Sequence, residues 1–134
     1  MKHTQILLAF LLAVLGNYES SQSADDEFAR SVSTLRNVGS EGEGNVAASQ
    51  AMEYLSNSGK EAIPSLLFEM NGANPFAANY LRGAVEVIFN KNLKEGGSLP
   101  LVALGEFLLN KSHDTKPRAM AFDLIKRTDP SVAN

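Results

Sequence analysis

The sequence predicts an all-α protein, a stack of antiparallel helix pairs. Three observations lead there. Every long segment repeats its apolar residues at helical spacing, and none alternates as a strand would. The breaks between segments are short clusters of Gly, Asn, Ser and Pro, and connections that short make neighbouring helices antiparallel. A proline-opened segment also recurs after forty-two residues. The chain has 134 residues, 44% hydrophobic and 20% charged, which suits one ordinary folded domain.

Residues 1–24 stand apart. "MKHTQ" carries Lys2 and the amino terminus, "ILLAFLLAVLG" is an apolar run of eleven, and "NYESSQSA" is small and polar. That order predicts a secretory signal peptide, cleaved near Ala24 or Asp25, and an exported protein, periplasmic or extracellular. An apolar run of eleven is shorter than the ~20 residues that a spanning helix needs. The predicted domain is therefore 25–134.

Within it, helix one is expected over Asp26–Arg36, with acids in its first turn and Phe28, Val32 and Leu35 as its stripe. "GSEGEG" is a break, after which Asn45 caps helix two, with Ala48, Ala51, Met52 and Leu55 on its apolar face. Gly59 suits the left-handed position that ends that helix. Helix three, Lys60–Met70, buries Ile63, Leu66, Leu67 and Met70 and tolerates Pro64 near its start. Asn74 and Pro75 then form a capped opening for helix four, with Ala78, Leu81, Val85, Ile88 and Phe89 inward and a stop near Lys94 at "EGG". Helix five starts near Leu99–Pro100, with Leu101, Leu104 and Leu108 inward. Helix six opens at Asp114 or Thr115, buries Ala121, Leu124 and Ile125, and closes at Thr128–Pro130.

"NPFAANY" (Asn74–Tyr80) and "KPRAMAF" (Lys116–Phe122) align without a gap, matching Pro75 with Pro117, Ala77 with Ala119 and Tyr80 with Phe122. With this opening and an Ala-rich helix bearing an aromatic and an Arg, the stretch Gly59–Pro130 resembles HEAT-type repeats of the armadillo-like family. It is similar to the N-terminal helical module of exported bacterial HEAT-repeat proteins. The resemblance implies a short right-handed α-α superhelix of about six helices, a scaffold for macromolecular contacts with no catalytic residues to carry over. It departs from the HEAT pattern in lacking an Arg after Val132. Helix six carries Met120, Phe122, Leu124 and Ile125, more apolar residues than one inward stripe uses. The expectation is an unfinished C-terminal side: the start of a longer array, or a surface covered by a partner or by self-association through the last helix.

Composition narrows the function. No cysteine is present, which removes thiolate nucleophiles and Cys-ligated metals. Without residues 1–24 the chain keeps eleven Lys and Arg against fourteen Asp and Glu, mixed along its length. Nucleic acid and anionic lipid both require clustered cations, so neither is an expected partner, nor is a membrane once the leader is removed. His113 is then the only histidine, so a multi-His metal site is excluded and no cofactor is expected. "KSHD" sets Ser112, His113 and Asp114 in one turn, which is not the geometry of a triad; a capping Asp beside a surface His is expected. "GSEGEG" lacks the Lys–Ser/Thr of a P-loop and reads as a linker. Glu69, Glu86 and Glu106 are scattered on polar faces, and "NKS" at Asn110 matches a glycosylation acceptor.

One candidate binding surface is left. Asn79, Arg82 and Glu86 share a face of helix four at i, i+3 and i+7, with Arg82–Glu86 spaced as an ion pair. They are the candidate partner-binding residues. The plainer readings are a solvated face, or Arg82 holding the carbonyl end of a neighbouring helix. The function expected is an exported, non-enzymatic helical-repeat module that mediates protein–protein interaction. The alternative is an accessory or regulatory helical domain of a larger exported enzyme or binding protein.

Overall fold

A computed structural model describes residues 21–39, 44–129 and 131. All the regular structure among them is helical: α1 (residues 21–36), α2 (Asn45–Ser56), a 3-10 turn (Lys60–Ala62), α3 (Ile63–Glu69), α4 (Pro75–Lys94), α5 (Leu101–Leu109) and α6 (Thr115–Thr128). The chain divides into two compact units, Met1–Arg30 and Ser31–Asn134. In the first, residues 21–30 are helical, so helical structure is already present upstream of the expected start at Asp26. The rest of the expected signal peptide, residues 1–20, lies outside the described residues. No helix among the described residues is long and apolar enough to cross a membrane.

In the second unit α3 pairs with α4 and α5 with α6, each pair joined by a short turn. Helix α2 lies against α4, and α3 touches both α5 and α6. The core is aliphatic: Leu35, Leu55, Ile63, Leu66, Leu67, Leu81, Val85, Leu104 and Leu124 are fully buried around Phe89. Each such side chain contributes ~1.5–3 kcal/mol of transfer free energy.

Helix α4 follows its sequence signals closely. Asn74 Oδ1 accepts from the amides of Phe76 and Ala77, both at 2.9 Å, which satisfies two donors that no helical carbonyl can reach. Pro75 sits in the first turn, and Lys91 and Lys94 lie at the carbonyl end, where the dipole favours cations. Asn74 Nδ2 also donates to the carbonyl of Val38 (3.0 Å), so one side chain both opens α4 and ties down the segment after α1. Helices α2 and α4 approach closely at Gly83, where an added Cβ would lie 2.7 Å from Met52 Cε.

Elsewhere the structure departs from the expectation. Helix α2 begins one residue early, with Gly44 at the cap in the left-handed region (φ 82°) and Asn45 already helical and capping nothing. Glycine adopts that φ without strain, and it replaces a side-chain cap here. Gly59 is not left-handed (φ −72°) but opens the 3-10 turn, because Asn57 and Ser58 have already closed α2 through bonds to Tyr54 and Leu55. In α4 the buried alanines are Ala77 and Ala84, with Ala78 half-buried at the edge of a groove. In α5 Leu104 is buried as expected, but Phe107 takes the inward position instead of Leu101, which is 39% exposed, and Leu108 is half-buried. The larger ring fills the space against the α5–α6 turn.

The forty-two-residue alignment is not the structural one. It sets buried Ala77 on exposed Ala119 and exposed Pro75 on buried Pro117. Matching cap to cap, Asn74 with Asp114, shifts the correspondence by two residues. Ala77, Leu81, Ala84 and Val85 then fall on Pro117, Ala121, Leu124 and Ile125, all buried.

Candidate functional site

The polar sides of α4 and α6 face one another across a groove of about 400 Å³. Its first wall carries Asn79, Arg82 and Glu86, so the structure brings the three sequence-predicted residues into one concavity. The second wall carries Lys116, Ala119 and Asp123 from α6, and Met70, Ala78 and Met120 supply apolar surface between them. The two methionines are almost fully buried, at 7% and 8% exposure.

Why the groove exists follows from how the two helix pairs are joined. The α3–α4 turn and the α5–α6 turn interlock. Gly72 N–H donates to Asp114 Oδ2 (2.8 Å), and Asp114 N–H donates back to Asn71 Oδ1 (2.7 Å). Asn71 Nδ2 donates to the carbonyl of Phe68 (2.7 Å) and lies 3.2 Å from His113 Nδ1. On the other side of the same turn, Arg36 donates to the carbonyls of Glu69 and Asn71 and meets the Glu69 carboxylate at 3.4 Å. Both α4 and α6 start from these fastened turns and so run the same way. Helix α6 leans on α3 rather than on α4, which leaves the space between α4 and α6 to side chains.

At the far end of the groove one residue, Arg127, bridges the two walls. Arg127 Nη1 meets Glu86 at 3.0 Å and Asp123 at 3.4 Å, and its guanidinium lies 4.2 Å over the Phe89 ring. Nη2 reaches Asn90 Oδ1 at 3.3 Å. Desolvation pulls the Arg127 pKa down, but the hydrogen bond and charge of Glu86, then those of Asp123, outweigh it and hold it above the ordinary arginine value. The expected Arg82–Glu86 pair is not formed, because Glu86 is engaged across the groove. Nor does Arg82 hold a helix end. Arg36 does that for α3, and Arg118 for α5 through the carbonyl of Leu108 (2.8 Å).

The "KSHD" turn is structural. His113 stacks on Phe107 with ring centroids 4.0 Å apart and meets Phe68 edge-on at 5.7 Å. Ser112 points back to Asn110 Oδ1 (2.7 Å), away from any base. Asp114 stands at the cap position of α6, yet its carboxylate bonds Gly72 instead of its own helix, which corrects the expected local cap. Sequence reasoning missed the second wall, Lys116 and Asp123, and the Arg127 bridge. The i,i+4 spacing of Asp123 and Arg127 was legible; their reach across to α4 was not. Among the described residues no three His, Asp or Glu side chains gather as a metal site. Neither a family model nor a curated protein nor a solved structure matches the chain.

Proposed function

We propose that the chain is an exported, non-enzymatic helical-repeat module that binds a protein partner in the α4–α6 groove. The observation that carries this is the convergence of Asn79, Arg82 and Glu86 with a second polar wall around a methionine-lined floor. Concave sites with an apolar base and a few placed polar groups are where partners bind. Both carboxylates of the groove are engaged by the same arginine, and no hydroxyl, thiol or imidazole lines it, which supports binding over chemistry. The likeness of Gly59–Pro130 to HEAT-type repeats supports a scaffold role, and the basic–apolar–small order of residues 1–24 supports export.

Photo-crosslinking tests the reading. A photoreactive residue at Asn79 is expected to capture a discrete protein from the exported fraction, and one at Val87, exposed on the same helix but outside the groove, is not. Equal capture from both positions would remove the groove from the proposal. N-terminal sequencing of exported material checks the leader, and an intact Met1 on the secreted chain would refute it.

A further inference from the structure

We propose that the groove takes an acidic peptide segment, with one of its carboxylates held between Arg82 and Lys116. This rests on the groove being the partner site. Four charged side chains line the cavity, Arg82 and Glu86 on one wall and Lys116 and Asp123 on the other. The two acids are already engaged by Arg127. Arg82 and Lys116 make no hydrogen bond or ion pair among the described residues. Counting Arg127, three cations meet two carboxylates, which leaves one positive charge in excess, and the two cations without a partner, Arg82 and Lys116, stand on opposite walls, in a chain whose net charge is −3.

An incoming carboxylate gains a forked partner in the Arg82 guanidinium and a point charge in Lys116. The methionine floor accepts the aliphatic stem of a Glu or a neighbouring apolar side chain, because a thioether adapts its shape to what it meets. Size sets the class of occupant. A volume of about 400 Å³ is near the lower end of the ~300–1,000 Å³ range of ligand pockets, so it admits a few side chains. Two cations are too few for a polyphosphate backbone, whose binding depends on many contacts at once.

The test uses the full chain with ¹³C-labelled methionine methyls. The probes are a blocked Ala-Leu-Glu-Glu-Leu-Ala peptide and its twin with Gln in place of Glu. The acidic peptide is expected to shift the Met70 and Met120 methyl resonances and leave Met52, outside the groove, unmoved. The Gln twin should bind about tenfold more weakly, as should the acidic peptide to Arg82→Gln or Lys116→Gln, and added salt should weaken the acidic peptide alone. Both substitutions are at exposed positions, and unchanged methyl spectra in the free variants verify the fold. Equal affinity for the two peptides would overturn the carboxylate anchor while leaving a peptide groove in place. No shift at Met70 or Met120 with either peptide at millimolar concentration would also overturn the inference, and crosslinking at Asn79 then decides the groove on its own.

Discussion

The two ends of the groove are fastened by different physics. At the turns, Asn71, Gly72, His113 and Asp114 exchange short hydrogen bonds that involve two backbone amides. At the far end, α6 is linked to α4 by Arg127 alone among the ion pairs, with 36% of its side chain still exposed. Backbone donors are fixed by the helices that carry them and lose little freedom on bonding. A long, wet arginine must give up rotamer entropy for a screened attraction, and exposed pairs of this kind contribute ~0–1 kcal/mol. In polar contacts, the same two helix pairs are thus firmly fastened where their helices begin and lightly where the groove ends, where buried Leu124 and Ile125 seat α6 in the core instead.

The largest effect should come from removing what both ends depend on. Leu81 is fully buried under the groove wall, and Leu81→Ala should cost ~2–5 kcal/mol, read as a lowered melting temperature. A variant that melts with the wild type would show that α4 is not the common support. Next comes Asn71→Ala, which removes the acceptor of the solvent-exposed Asp114 amide together with the bonds to Phe68 and His113 and, at ~0.5–1.5 kcal/mol net for a hydrogen bond, should cost about 1–2 kcal/mol. Hydrogen exchange at the Asp114 amide should accelerate at the same time, and unchanged protection would mean the turns are not locked through Asn71. Arg127→Gln should cost only ~0.5–1 kcal/mol, since it removes exposed pairs and one cation–π contact. A loss as large as that of Asn71→Ala would erase the contrast between the two ends.

The smallest effect lies just past α6. Asp129 accepts from the Ser131 hydroxyl at 2.5 Å and from its amide at 3.0 Å, and these two bonds hold its carboxyl below the ordinary aspartate value. A depressed folded pKa stabilises above the unfolded value and loses that stabilisation as pH falls through the folded one, which puts the window below about pH 4. Loosening of this turn should appear in the Ser131 amide resonance as pH falls through that window, and an unmoved resonance would show that the Asp129 bonds do not hold the turn.

Single-helix features were legible because their causes are local. The all-helical fold followed from apolar period, and the Asn74–Pro75 opening from the few residues whose side chains cap and whose φ is preset. Positions that depend on a neighbour were not. Proline is tolerated anywhere in a helix's first turn, so Pro75 and Pro117 could be aligned although they occupy different places in it; the caps mark the register more sharply. Arg82 looked like the partner of Glu86 because i,i+4 spacing permits it, but a guanidinium from another helix approached more closely. Phe107 displaced Leu101 because the α5–α6 turn offers a ring partner, His113, that no periodicity reveals. The contribution of α6 to the groove depended on where α3 lets it rest, which is a property of packing.

The interlocked turns make a fulcrum. Helix α6 has fourteen residues and so extends ~20 Å from that point at 1.5 Å per residue. Tilting it by ~5° about the turns displaces its far end by ~2 Å and its first turn by a fraction of that, for an α-helix of this length. Arg127 stands where that lever arm is longest, so its bonds to Glu86 and Asp123 act against tilt with the greatest mechanical advantage, beside the core contacts of Leu124 and Ile125.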